Sequence, residues 1–146
     1  MKQKEREIMI TPYITFNGQC KEAIEYYRSI FPCEEPKILP YGEYMPEGTK
    51  TPPELLREWV MHGEMVISGT NVWLADEALP ITIGDSIKLS ATVKTGKEAK
   101  VIFDALSVDG NITLPPTEYF YSVFHGAVID KFGVSWNVVA EEASKI

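Results

Sequence analysis

The sequence predicts an α+β fold in which a βαβββ module occurs twice in tandem. A strand-turn-helix segment is repeated, with Lys-Glu-Ala triplets that begin at positions 21 and 97, an offset of 76. His-Gly pairs at His62 and His125 are each followed by a tryptophan, Trp73 and Trp136, at a common offset of 63. A repeated order of turns, apolar periods and tryptophans is the mark of a duplicated module. The two offsets differ by 13 residues because the connection after the first helix is longer.

Each copy begins with a strand and an amphipathic helix. In "PYITFNGQCKEAIEYYRSIF" a strand precedes a turn at Asn17-Gly18, and apolar residues then recur at helical spacing. The same pattern follows in "IKLSATVKTGKEAKVIFDALS", with a strand over 87–93. We predict helices over 19–31 and 96–107.

The end of each copy is a strand pair joined by a glycine turn. Asp130-Lys131-Phe132-Gly133 looks like the magnesium-binding Asp-Phe-Gly of a protein kinase with one residue inserted. The glycine-rich loop, lysine strand and catalytic loop of a kinase are missing from the sequence. The repeat therefore indicates a turn, which Asp130 organises through its side chain.

Composition and charge restrict the class of protein. The chain has 146 residues, enough for one domain with a substantial core, and a formal net charge of −7. That charge argues against nucleic acid or an anionic membrane as partner. No apolar run approaches a bilayer span, the first residues do not read as a signal peptide, and Cys20 and Cys33 form no CxxC pair. We expect a cytoplasmic protein with a flexible tail over 1–8 and a single domain over 9–146, with module one at about 9–80 and module two at about 84–142.

The connection after the first helix is long and rich in proline. Six of the ten prolines lie between Pro32 and Pro53. Long connections of this kind are either binding loops or surface excursions, and the sequence leaves both open. A short helix is expected near 52–58, where Pro52-Pro53 follow Thr51.

These motifs together resemble the vicinal oxygen chelate superfamily of glyoxalase I, bleomycin-resistance proteins and extradiol dioxygenases. The likeness is carried by the first repeat segment, "HGEMVISGTNVWLADE" and "DKFGVSW", and covers about residues 10–140. Within the superfamily the chain looks like PhnB-like proteins, some of which are labelled 3-demethylubiquinone methyltransferases. The resemblance implies a curved, cup-like mixed sheet with the helices outside, and a homodimer. The methyltransferase label has no physical support in the sequence, which contains no glycine-rich strand-to-helix loop of the kind that a nucleotide-like cofactor needs.

Metal enzymes of this superfamily carry their ligands on the first and last strands of each module. The resemblance places those positions near Tyr13 or Thr15, Trp73–Ala75, Lys88 or Ser90, and Asn137. Side chains of these types do not suit a divalent ion, which prefers imidazole and carboxylate. We therefore expect the usual metal site to be lost, with no metal and no cofactor.

A displaced site is a second hypothesis. Alternation in "WVMHGEMVIS" puts His62 and Glu64 on one face and Met65 on the other, and His125 follows Phe124 in the same register. If the helix covers the Met65 face, the two histidines and Glu64 point into the cup. They are then metal ligands, acid-base groups, ligand contacts, or merely hydrogen-bonded structural side chains.

The aromatic residues allow two interpretations as well. Trp73 and Trp136 are either core residues or stacking platforms, and Tyr121 lies where it can line the mouth of the cup. Cys20 is either a small buried residue or a thiol activated by the helix start.

We favour a small-molecule-binding protein that holds an aromatic or amphipathic ligand without the usual metal site. The alternatives are a metal-dependent glyoxalase- or dioxygenase-type enzyme with displaced ligands, and a purely structural dimer. The candidate ligand-binding residues are Tyr13, His62, Glu64, Trp73, Tyr121, His125, Trp136 and Asn137.

Overall fold

The computed structural model describes residues 7–43 and 56–145. The chain divides into two compact units, module one up to Ile81 and module two from Thr82. Within the described ranges no helix is long and apolar enough to cross a membrane.

Module one is a four-stranded mixed sheet with one helix on one face. In the sheet order β1-β4-β3-β2, β1 and β4 are parallel and the other neighbours are antiparallel. The elements in chain order are β1 (Tyr13–Phe16), α1 (Cys20–Ile30), β2 (Lys37–Pro40), β3 (Val60–Ile67) and β4 (Thr70–Asp76).

Module two repeats this topology. Its sheet order is β5-β8-β7-β6, with β5 and β8 parallel and the other neighbours antiparallel. The elements are β5 (Leu89–Val93), α2 (Gly96–Ser107), β6 (Asn111–Tyr119), β7 (Ser122–Ile129) and β8 (Ser135–Ala140). The α+β class and the two βαβββ modules are thus confirmed, and both helices agree with their predicted bounds within one residue.

Each helix covers one face of its own sheet. The buried residues of each helix recur at helical spacing. They are Ala23, Ile24 and Tyr27 in α1, and Ala99, Phe103 and Leu106 in α2. These stripes pack against their strands, and burial of apolar area at about 25 cal/mol per Å² supplies the main driving force for each module. Among the described residues, no helix of the same module lies on the opposite face of either sheet, and we call that face the open face.

A buried carboxylate joins three elements of module one. Asp76, at the end of β4, is 2% exposed. Its Oδ1 accepts hydrogen bonds from the backbone N–H of Gly18 (2.8 Å) and Cys20 (3.0 Å), and its Oδ2 accepts one from Val60 N–H (2.9 Å). The helix start therefore needs no cap from its own N-cap residue, Gln19, whose side chain makes no capping bond.

The connection after α1 is not a simple loop. The proline-rich connection contains β2, a short edge strand that ends at Pro40, and proline is tolerated at such an edge.

Most of the helix expected near 52–58, and residues 1–6 of the expected tail, lie outside the described residues. The cup formed by both sheets stays a prediction.

Replacing Asp76 by alanine should destabilise the protein strongly. Three backbone N–H groups lose their acceptor, and each unsatisfied buried donor costs about 1–3 kcal/mol. We expect Asp76→Ala to lower the free energy of unfolding by about 3 kcal/mol or more, measured by urea denaturation. The exposed neighbour provides the control, since Glu77→Gln should change it by less than about 0.5 kcal/mol. A loss below 1 kcal/mol in Asp76→Ala would show that the carboxylate is not the junction of these elements.

Candidate functional site

The strand register brings Tyr13, Trp73 and Glu64 side by side on the open face of module one. Trp73 pairs with Tyr13 on β1 and with Glu64 on β3. The preceding residue of β3, Gly63, faces α1, because a Cβ placed on it would lie 3.7 Å from Ile24 Cδ1. Neighbours in sequence point to opposite faces of a strand. Trp73, Tyr13 and Glu64 therefore lie on the face away from the helix.

His62 shares that face, as the alternation predicted. Met65 and Ile67, on the other side of β3, are buried beneath the helix. The His62 ring lies 5.2 Å from Trp73 and 6.2 Å from Tyr13, between ring centroids, and Tyr13 lies 6.1 Å from Trp73. All three contacts are edge-to-face. Tyr13, His62, Glu64 and Trp73 form what we call the aromatic corner.

One polar contact lies within the aromatic corner. His62 Nε2 is 3.4 Å from Glu64 Oε1, and both side chains are partly exposed. Strand β2 adds Lys37, which pairs with Glu64 of β3 in register. Among the ion pairs of the described residues, none joins Lys37 to Glu64. The corner therefore presents a carboxylate and an imidazole at the edge of an aromatic surface.

Two further properties of the corner follow from burial. Burial raises the pKa of the Tyr13 phenol, and the nearby Glu77 carboxylate raises that pKa further. The Trp73 Nε1–H is fully buried and has no acceptor among the described residues. Buried side-chain donors without an acceptor are rare in native folds.

The open face of module two carries a different group. Gly126 faces α2, since an added Cβ would meet Phe103 at 2.6 Å, so its neighbour His125 lies on the open face. His125 Nδ1 is 2.7 Å from the Tyr121 hydroxyl, and Tyr121 stacks on Tyr119 with centroids 5.3 Å apart. Asn137 is also on this face, beside Ser90 on β5.

Trp136 does not lie on the open face, contrary to expectation. Gly126 pairs with Val138, and Trp136 is two residues from Val138, so it points to the α2 side. Trp136 is 4% exposed, and its Nε1–H donates a 2.9 Å hydrogen bond to Asp130 Oδ2. It is a core residue, and we omit it from the candidate site.

One additional residue in the second hairpin explains the difference. Gly63 pairs with Leu74, eleven positions on, whereas Gly126 pairs with Val138, twelve positions on. Ile129 pairs with Ser135 across five residues, 130–134, whereas its counterpart Val66 pairs with Asn71 across four, 67–70. Shifting a strand by one residue moves every side chain to the other face. Asn137, not Trp136, is therefore the structural equivalent of Trp73.

The turn before β8 behaves as predicted. Asp130 Oδ1 accepts hydrogen bonds from the backbone N–H of Phe132 (2.9 Å) and Val134 (3.1 Å), and Gly133 has φ of 91°.

Cys20 is fully buried. Burial raises the pKa of its thiol, and the nearby Asp76 carboxylate raises that pKa further, so Cys20 is a packing residue rather than an activated thiol.

The donors at the superfamily's metal positions do not fit a divalent ion. Tyr13 and Trp73 are neighbours in module one, and Ser90 and Asn137 are neighbours in module two. A phenol, an indole, a hydroxyl and an amide are poor ligands compared with imidazole and carboxylate. Across residues 7–43 and 56–145 no group of three or more His, Cys, Asp or Glu side chains is arranged to hold a metal. We derive no chemistry through a metal at these positions.

Sequence reasoning missed two residues that shape the site. Asp76 follows the strand in "WLADE", and only the fold shows that it caps α1. Lys37 enters the open face through β2, whose four residues are too few for an alternation signal.

The fold and its two open faces define a class. A glyoxalase/bleomycin resistance protein/dioxygenase domain from Frankia sp. EAN1pec superposes with a TM-score of 0.59 at 13% identity, covering 94% of this chain and 99% of that one. At that identity the likeness concerns the fold alone. The chain has the fold of this superfamily.

The family is narrower. Residues 8–139 match the family model described as 3-demethylubiquinone-9 3-methyltransferase, and the chain belongs to this PhnB-like family. A PhnB protein from Bacillus cereus is 28% identical with a TM-score of 0.75, covering 91% of this chain and 99% of that chain. Protein YjdN of Escherichia coli (strain K12) is 29% identical, over 93% of this chain and 99% of that protein.

The methyltransferase description has no counterpart at the helix starts. A nucleotide-like cofactor commonly uses free N–H groups at a glycine-rich strand-to-helix turn. In module one the N–H groups of Gly18 and Cys20 already donate to Asp76. In module two Gly96 N–H donates to Glu142, and Glu98 N–H to Thr95. The N–H groups at these two helix starts are therefore not free to hold such a cofactor.

The placement of Trp136 predicts a stability effect. Trp136→Phe removes a hydrogen bond to a buried carboxylate, worth about 1.5–3 kcal/mol, and keeps most of the apolar volume. We expect a loss of about 2 kcal/mol in the free energy of unfolding, with a coupling to Asp130→Asn in a double-mutant cycle. A neutral Trp136→Phe with no coupling would contradict the core placement.

Proposed function

We propose that the chain binds a small molecule on the open face of module one, at the aromatic corner, without the usual metal site of the superfamily. The observation that carries this proposal is the cluster of Tyr13, His62 and Trp73 beside Glu64 on a sheet face that α1 leaves uncovered. Ligand sites commonly combine aromatic walls with a few polar groups.

The ligand that suits this surface is flat and aromatic or amphipathic. Tyr13 is 52% exposed although its neighbours hold its ring edge-on, so apolar ring surface is left for a ligand to cover. An aromatic contact adds about 1 kcal/mol beyond area burial. His62 and Glu64 then meet a polar edge of the ligand.

Module two offers a second polar-aromatic group for ligand contact. Because the Tyr121 hydroxyl contacts His125 Nδ1, the second ring nitrogen, Nε2, is the one left for a ligand. Asn137 adds an amide on the same face. We propose Tyr121, His125 and Asn137 as ligand contacts on the open face of module two taken by itself.

A probe with the proposed shape tests the binding site. We expect 2-naphthol to shift the NMR signals of Tyr13, His62 and Trp73, and Tyr13→Leu to weaken it about tenfold, which is 1.4 kcal/mol. Tyr13 is half exposed, so this variant should fold normally. Tyr26→Leu is the control, because Tyr26 belongs to α1 on the opposite side of the sheet. Equal affinities in the two variants, or no shifts in the corner at millimolar probe, would refute the site.

The alternative is a metal-dependent glyoxalase- or dioxygenase-type enzyme. The contact between His62 and Glu64 supports it, because imidazole and carboxylate are good metal ligands. Elemental analysis of the protein after dialysis at neutral pH separates the two proposals. We expect well under one equivalent of zinc, nickel, iron or manganese per chain. A stoichiometric metal that is lost in both His62→Ala and His125→Ala would favour the enzyme instead.

A further inference from the structure

The three rings of the aromatic corner stand nearly perpendicular to one another. The planes of Tyr13 and His62 meet at 85°, those of Tyr13 and Trp73 at 79°, and those of His62 and Trp73 at 75°. In each edge-to-face pair the edge of one ring lies against the face of the other, with centroids 5.2–6.2 Å apart. Tyr13 is nevertheless 52% exposed, so part of its ring surface is open to a ligand beside His62 and Trp73.

The faces of aromatic rings attract cations. The π-system gives each face a negative potential, and a cation within about 6 Å of the centroid is stabilised. Glu64 adds a full negative charge next to Trp73, its cross-strand partner. Its contact with His62 leaves the carboxylate partly exposed, and Lys37 does not form an ion pair with it within the described part of the chain.

We propose that the ligand of the aromatic corner carries an alkylated ammonium group, with Tyr13 and Trp73 as aromatic walls and Glu64 as counter-charge. This inference rests on the proposed function and names its ligand class.

The chemistry of the corner favours an alkylated ammonium over a primary amine or an anion. A primary ammonium has three N–H donors, and the ring faces of Tyr13 and Trp73 offer no acceptor atoms for those that do not reach the Glu64 carboxylate. A trimethylammonium group has no donor to satisfy and an apolar surface that packs against rings. An anion would lie beside Glu64 and be repelled.

A pair of probes that differ in charge but hardly in shape tests the inference. Phenyltrimethylammonium is compared with tert-butylbenzene, its neutral carbon analogue, by NMR titration of the full-length protein. We expect the cation to bind at least tenfold more tightly. Glu64→Gln should remove about tenfold of the cation's affinity and leave that of tert-butylbenzene unchanged. Glu22→Gln is the matched control, because it removes one negative charge at an exposed position of α1. It should change the affinity of neither probe.

The outcomes separate this inference from the proposed function. Equal affinity of the two probes, or an unchanged cation affinity in Glu64→Gln, overturns the ammonium class while the binding site stands. The same holds if 2-naphthol binds and phenyltrimethylammonium does not. If none of the three probes shifts the signals of Tyr13, His62 and Trp73, both proposals fail.

Discussion

The alternation of side chains across a β-sheet is the constraint on which both modules depend. Each strand must place one set of residues under its helix and the other set on the open face, and the register decides which set goes where. In module one the register puts Trp73 with Tyr13 and Glu64 away from α1. In module two one additional turn residue puts Trp136 beneath α2. The same residue type therefore builds a surface in one module and a core in the other.

Buried carboxylates hold these registers in place. Asp76 joins the end of β4 to the start of α1 and the start of β3, through three backbone donors. Asp130 closes the turn before β8 and accepts from the Trp136 indole. A carboxylate is an economical choice at such junctions, because its two oxygens accept several bonds at once. The aromatic corner is thus positioned by contacts on the opposite face of its own sheet.

The sequence was sufficient for the fold but not for every residue of the site. The Lys-Glu-Ala repeat and the apolar period of Ala99, Phe103 and Leu106 predict the modules and helices because they are local patterns. Alternation around Gly63 likewise predicts the face of His62 and Glu64. The face of Trp136 could not be predicted, because it depends on how many residues the turn after Ile129 uses before pairing resumes. A match of tryptophans at equal offset concealed that one-residue difference.

Nuclear Overhauser contacts of the two indoles are the most direct test of the face that each tryptophan occupies. We expect contacts from the Trp73 ring to the rings of Tyr13 and His62, and none from Trp73 to the Ile24 methyl groups of α1. We also expect the Trp136 indole N–H to exchange slowly with solvent, because it is buried and bonded to Asp130. Contacts from Trp73 to Ile24, together with rapid exchange at Trp136, would mean that the two faces are reversed.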